Sequence, residues 1–333
     1  MAEAERVGAE DGLGLSEWDA MKRFNLPLLV LILALLVFVG ATTGRALGLE
    51  PFRTWFFCFA WWPYILAVES LLVLAGAGSD LYERPREFAL LLPLSVTLWL
   101  FFEVLNFRLG NWHYINLPAE PLERWAGYVL SFATVLPGLF ATARLLDHLG
   151  LFRSVATPPW RTVRQLHPVF FVTGAFFLVL PMVAPQYFFP LVWGALVLLL
   201  EPWLHDSGGR SLLAGWARGE PRLTLLLLVA GLICGGLWEF WNFEAGAKWM
   251  YTVPFVGEMK VFEMPVLGFL GFPFFALECY VAANAFLLVR ERLSLWPDSR
   301  RRLAWTLLIL GVTVFDALAM AGMDRFTVFS LRP

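Results

Sequence analysis

The chain has 333 residues, 59% hydrophobic and 16% charged, with a formal net charge of −2. A soluble domain carries about 45–50% apolar and about 25% charged residues, so an ordinary soluble globular class is excluded. The near-neutral balance also excludes a nucleic-acid partner held by a basic face.

The first stretch is acidic (Glu3, Glu5, Glu10, Asp11, Glu17, Asp19), unlike the basic start of a signal peptide. Residues 1–25 are expected to form a partly disordered cytoplasmic tail, with Met21, Lys22 and Arg23 at the membrane surface. Nine apolar runs follow, at 28–47, 55–76, 88–107, 127–146, 168–184, 187–204, 223–243, 265–289 and 303–320. Each is close to the about 20 residues a spanning helix needs. Continuous runs, rather than short alternating ones, select helices over a β-barrel. The fifth and sixth are short and joined by a turn at Pro185.

One phrase occurs twice. Glu103, Asn106, Phe107, Trp112, Tyr114 and Pro118 are repeated as Glu239, Asn242, Phe243, Trp249, Tyr251 and Pro254. Glu to Asn is three residues in both copies and Asn to Pro is twelve. A second match lies elsewhere: Trp61 and Glu69 reappear as Trp193 and Glu201, eight apart in each case. Such recurrence marks an internal duplication. The matched runs are four spans apart, so the copies share one orientation. The expected fold is an all-α integral membrane protein of about nine transmembrane helices, in two parallel four-helix repeats plus one C-terminal helix. The first repeat covers 26–150, a cytoplasmic linker 151–164 and the second repeat 165–292. The C-terminal helix and a periplasmic tail cover 293–333.

Basic residues give the orientation. With nine spans, 17 of the 25 Lys and Arg fall on the side of the N-terminus. Cytoplasmic loops collect such residues. This places the N-terminus on the cytoplasmic side and the C-terminus outside.

Glu and Asn three apart share a helix face, and polar groups inside a membrane are costly and usually functional. Three candidate catalytic residues follow: Glu239, Glu103 and Glu278. Candidate substrate-binding residues are Asn242, Asn106, Trp249, Tyr251, Trp112, Tyr114 and Trp238. The alternative is structural, with Glu and Asn bonding across the repeat interface while Trp and Tyr anchor at the headgroups. Glu263 and Glu123 read as interfacial carboxylates near helix N-termini. Asp316 reads either as part of a polar path or as a bond to a neighbouring helix. Glu69 and Glu201 lie nearer the inner ends and could meet water or an arginine. Aromatic residues cluster round the phrase: Trp99, Phe101 and Phe102 in one copy, Trp238, Phe240 and Trp241 in the other. They could stabilise a cation, bind a flat lipid tail, or only pack. Cys58, Cys234 and Cys279 read as packing residues. His205 follows Glu201 by four, a metal-binding spacing with too few groups for a site. No metal and no cofactor is expected.

The stretches GLWEFWNFEAGAKWMYTVPF and FEMPVLGFLGFPFFALE, with SFATVLPGL and DRFTVFS, resemble an uncharacterised family of bacterial polytopic inner-membrane proteins. That resemblance covers most of the chain. It implies a bacterial inner membrane, with the N-terminus cytoplasmic and the C-terminus periplasmic, and no established activity. A fainter likeness is to integral-membrane carotenoid cyclases of the lycopene-cyclase type and to terpene cyclases. It rests on the order Glu239, Asn242, Trp249, Tyr251, Glu263 and Pro265. In the lycopene-cyclase type paired glutamates follow the proline. Here Glu263 precedes it and Glu278 comes well after. The leading expectation is a protein that binds or modifies a membrane-dissolved isoprenoid or lipid, Glu239 serving as the acid. The alternatives are a proton-coupled transporter or channel using Glu278 and Asp316, or a structural membrane protein. Protein partners are not indicated.

Overall fold

The computed structural model describes residues 2–255 and 257–329, with side chains from Phe24 onward. Among them, nine helical segments are long and apolar enough to cross a membrane, as a multi-pass membrane protein requires. They correspond one for one to the nine runs read from the sequence. The first is α1 (Ala2–Ala46), whose apolar part begins at Phe24, and the second is α2 (Phe56–Leu74). The backbone of α1 is helical through the stretch expected as a partly disordered tail, which has no proline to stop it before Pro27. A short α3 (Asp80–Glu83) leads into α4 (Pro85–Leu109), the third span. Strand β1 (Trp112–Ile115) precedes the fourth, made of α5 (Pro121–Phe132) and α6 (Val135–His148). The fifth span ends in α7 (His167–Val183); the sixth joins α8 (Pro185–Phe188) to α9 (Val192–Asp206). After α10 (Leu212–Arg218) come α11 (Arg222–Glu244) and strand β2 (Lys248–Tyr251). The two-residue strands β3 (Lys260–Val261) and β4 (Met264–Pro265) precede α12 (Gly271–Ser294) and α13 (Asp298–Phe326).

Contacts between helix ends show that the spans alternate in direction. At one end Arg222 at the start of α11 meets Asp147 near the end of α6, and Arg292 of α12 donates to the Ser207 carbonyl after α9 (3.1 Å). At the other, Arg45 of α1 pairs with Glu244 of α11 (2.5 Å). That second end also carries β1 and β2, so α4 and α11 run the same way.

Four spans depart from unbroken helices, the fifth by a 3-10 turn, Val163–Leu166, ahead of α7. The fourth breaks at Ala133 and Thr134, where Pro137 offers no N–H to the Ala133 carbonyl and Ser95 of α4 inserts. The Ser95 hydroxyl donates to the Phe132 carbonyl (2.5 Å) and accepts from the Leu136 amide (3.0 Å), replacing the helical bond between them. The sixth is non-helical at Trp193. The eighth starts with a 3-10 turn, Val266–Leu270. Pro137 and Gly138 follow the break in the fourth run, which the sequence reading nonetheless took as one helix.

Small residues set the closest helix contact. Gly231 and Gly235 of α11 lie one turn apart and face α12. A Cβ on Gly231 would stand 2.5 Å from the Phe272 carbonyl oxygen and 2.7 Å from the Ala276 Cβ. Neither can move without shifting α12, the usual reason for glycine in a membrane helix contact. Gly236, the next residue, has nothing within 4 Å of such a Cβ. Gly231→Ala is therefore expected to lower stability in detergent by about 1–3 kcal/mol, and Gly236→Ala to leave it unchanged or slightly raised. Equal effects in paired melting curves would refute this close contact.

Candidate functional site

The site lies where the two copies of the repeated phrase meet. Each copy ends a long helix and turns into a strand, and β1 pairs with β2 in antiparallel register. Trp112 stands opposite Tyr251 and Tyr114 opposite Trp249. Exchanging the copies exchanges these two pairs, so the register is what two equivalent strands about a two-fold axis would adopt. The copies leave their helices differently. Gly110 caps α4 in the left-handed conformation (φ 63°), whereas Ala245 leaves α11 extended, consistent with the one-residue difference in loop length.

Asn106 and Asn242 hold the strands. Asn106 donates from Nδ2 to the Trp112 carbonyl (2.8 Å) and accepts the Asn111 amide on Oδ1 (2.8 Å). Asn242 donates to the Trp249 carbonyl (2.9 Å) and accepts the Trp249 amide (2.9 Å). Both amides thus satisfy loop backbone that would otherwise be buried unpaired.

The glutamates sit beneath the strands, both fully buried. Glu103 Oε1 accepts from Trp99 Nε1 (2.9 Å), Trp112 Nε1 (2.9 Å) and the Tyr114 hydroxyl (2.5 Å). Glu239 Oε1 accepts from the Tyr251 hydroxyl (2.8 Å), and Trp249 Nε1 donates to that same hydroxyl (3.0 Å) rather than to the carboxyl. The difference is encoded in sequence. The residue one turn before Glu103 is Trp99; the residue one turn before Glu239 is Gly235. Glu103 is saturated on one oxygen, while Glu239 is held by one donor. The second oxygen of each is buried with no hydrogen-bond partner among the described residues, as are the indole N–H groups of Trp61 and Trp238. Buried polar atoms are normally paired, so such a group needs an explanation, a bound water or ligand among them. Burial, then the adjacent glutamate, raises the pKa of Tyr114 and Tyr251 well above the ordinary tyrosine value. Both hydroxyls therefore keep their protons and act as donors.

Beside them is an inner cavity of about 70 Å³. Its walls are aromatic: Phe57, Trp99, Phe132, Trp238, Trp249 and Phe272, with the tyrosine rings of Tyr114, Tyr128 and Tyr251. Glu103, Glu239, both asparagines and Trp112 lie behind this lining rather than in it. Lys248, at the rim, pairs with Glu263 (2.5 Å). A second, wider recess of about 660 Å³ opens between α1, α2 and α5, and is lined almost wholly by apolar side chains. Trp55 and Gly127 border both spaces. The Trp55 ring packs where a Cβ on Gly127 would stand, 2.0 Å from it.

Glu278 stands apart. Its Oε1 accepts the Leu196 amide (2.9 Å) in the first turn after the Trp193 irregularity, and it does not line the inner cavity. Glu69 and Glu201 share one task at the arginine end. Each accepts from a serine that caps a short helix: Ser79 before α3 for Glu69, and Ser211 before α10 for Glu201 (2.6 Å). Glu69 also pairs with Arg144. Asp316 accepts from Thr97 of α4 (3.0 Å), the helix-bonding reading. Glu123 lies in the first turn of α5 and accepts from Trp55 Nε1 (3.2 Å). The sequence reading did not assign site roles to Tyr128, Phe132, Trp55 or Lys248, and left Trp99 among the aromatic residues that could stabilise a cation, bind a lipid tail or only pack. Trp99 was within reach, since four residues before Glu103 is the same helix face.

No family model, no curated protein and no solved structure matches this chain.

Proposed function

We propose that the chain binds or modifies a membrane-dissolved isoprenoid or other lipid in the cavity beneath the β1–β2 pair. In this reading the protein is a bacterial inner-membrane protein with its N-terminus cytoplasmic and the cavity near the periplasmic face. It consists of two parallel four-helix repeats, with α13 appended. The repeats are supported by the strand register and by the matched serine contacts of Glu69 and Glu201.

The observation that carries the functional reading is the aromatic cavity bordered by Tyr251, whose hydroxyl leans on Glu239, a buried carboxyl with one oxygen unpartnered. Glu239 is the reactive member and Glu103 the structural one, because three donors already fix Glu103. A proton held by Glu239 would reach the cavity once the Tyr251 hydroxyl turns to donate into the cavity and accepts from the carboxyl instead of donating to it. Its target is an alkene or polar head in the cavity, and the surrounding ring faces would stabilise the resulting cation. Glu278 has its bond to α9 and serves the fold in this scheme.

The test is the lipid that stays with the protein. Wild type purified in mild detergent is expected to retain one dominant neutral lipid or isoprenoid, seen by native mass spectrometry and in lipid extracts. Glu239→Gln and Tyr251→Phe should each reduce its retention or turnover at least tenfold, with melting behaviour preserved. A lipid profile unchanged by gene deletion, together with equal retention in all variants, would reject the proposal.

A further inference from the structure

The arginine end holds a cluster that the lipid reading does not use. His167 opens α7, and His205 and Asp206 close α9. Their ligand atoms lie within 4.8 Å of one another. His167 is buried; its Nδ1 is 3.1 Å from Asp206 Oδ2 and its Nε2 is 3.0 Å from His205 Nδ1. Arg164 holds the other oxygen of Asp206 (2.9 Å). Glu201, one turn before His205, is committed elsewhere: its oxygens accept from Ser211 (2.6 Å), Leu212 (2.9 Å) and Leu213 (3.1 Å).

We infer that His167 Nε2 and His205 Nδ1 bind a divalent transition-metal ion, with Asp206 as the carboxylate that orients His167. The spacing is the first argument. Two imidazole nitrogens, each about 2.0–2.1 Å from one ion and at right angles, stand about 3 Å apart. The second argument is the proton order. A proton on His167 Nδ1 shared with Asp206 leaves the Nε2 lone pair directed at His205, and a carboxylate–histidine pair of this kind is the usual outer support of a metal-binding imidazole. Binding then moves the His205 proton from Nδ1 to Nε2 and turns the rings so that both lone pairs converge on the ion beside the N···N line. Asp206 is 44% exposed along its side chain, so water can complete the coordination. A right-angled pair of imidazoles with open positions suits copper(II) or nickel(II) over a closed tetrahedral zinc site.

The cluster is not required to pack two helices of this kind. The residues that stand to Trp61 as His205 and Asp206 stand to Trp193 are Val73 and Leu74, and α2 packs on α1 with those apolar residues in place. The sequence reading paired His205 only with Glu201, too few groups for a site; His167 lies 38 residues away on another helix.

The experiment uses full-length, tag-free protein stripped with chelator and titrated with Cu²⁺. Electron paramagnetic resonance should show one tightly held ion per chain with coupling to two nitrogens, displaced only by a large excess of Ni²⁺ or Zn²⁺. His205→Gln should remove one nitrogen, and the double variant His167→Gln, His205→Gln should abolish the signal. Asp206→Asn should weaken affinity about 10–100-fold, and Arg164→Gln should not weaken it. Glu239→Gln should leave the signal unchanged, which separates this site from the lipid cavity. Copper uptake by wild type no greater than by the double variant would overturn the inference. So would a wild-type spectrum without imidazole nitrogens, a reading that depends on no variant folding.

Discussion

Trp61→Ala is expected to reduce stability in detergent by roughly 3–5 kcal/mol, the range for a buried tryptophan cut to alanine. Trp61 has no exposed surface and stands between three spans. Its ring meets Tyr64 of its own helix edge-on (5.4 Å between centroids), Trp238 (5.5 Å) and Trp241 (4.9 Å) of α11. On the α6 side it fills the place of a side chain, since a Cβ on Gly138 would lie 2.7 Å from the ring. Lipid is as apolar as a protein interior, so the cost here is chiefly lost packing and an unfilled cavity rather than exposure. Two further measurements sharpen the test. Trp61→Phe should recover more than half of the loss. Gly138→Ala should be costly in wild type and nearly free beside Trp61→Ala, because the clashing ring is gone. Additive penalties, or a Trp61→Ala loss under about 1 kcal/mol, would mean that Trp61 is not the wedge described.

The helical class and the nine segments were legible because membrane-length apolar runs have few competing interpretations. The breaks in them were not read, although Pro137 and Gly138 stood in the fourth run. Ser95 is an ordinary polar residue in sequence, and only the approach of α4 to the fourth span puts its hydroxyl between Phe132 and Leu136. The strand pair was also missed. WHYI and KWMY are too short to announce strands, and their pairing joins residues 133–139 positions apart, as with Ile115↔Lys248 and Trp112↔Tyr251.

At the site, residues of the repeated phrase meet: Glu103 bonds to Trp112 and Tyr114, and Glu239 to Tyr251. The phrase could not say which members face the cavity. Spacing treats Asn106 and Trp112 alike, but the asparagine amide is taken up by the loop backbone. Nor does a shared motif reveal that the copies are unequal. That depends on Trp99 against Gly235, outside the repeated letters, and it is what leaves Glu239 with fewer bonds than Glu103.

The second large effect is expected from a pair that the sequence reading passed over. Asp324 of α13 receives Arg124 in a bidentate contact, Nε to Oδ1 and a terminal nitrogen to Oδ2, both 2.8 Å. Tyr128 and Trp125 add two more donors at 2.9 Å. Arg124 is itself buried and also donates to the carbonyls of Pro118 (2.7 Å) and Ala119 (2.9 Å). Much of the remaining surface of α13 is exposed, so this knot is the principal polar anchor of its C-terminal end. Asp324→Ala leaves a buried guanidinium without its counter-charge and should cost about 3–5 kcal/mol. Arg124→Lys should not substitute, since an ammonium cannot reproduce the fork. The consequence reaches the site, because the Thr327 carbonyl just beyond α13 accepts the Tyr114 amide (2.7 Å). Releasing α13 therefore loosens β1 and with it the Tyr114 bond to Glu103. Hydrogen exchange should rise at Tyr114 and along the end of α13 in Asp324→Ala, and bound lipid should fall, while α7 and α9 stay protected. Exchange confined to α13, with Tyr114 unchanged, would show that β1 holds its place without this anchor.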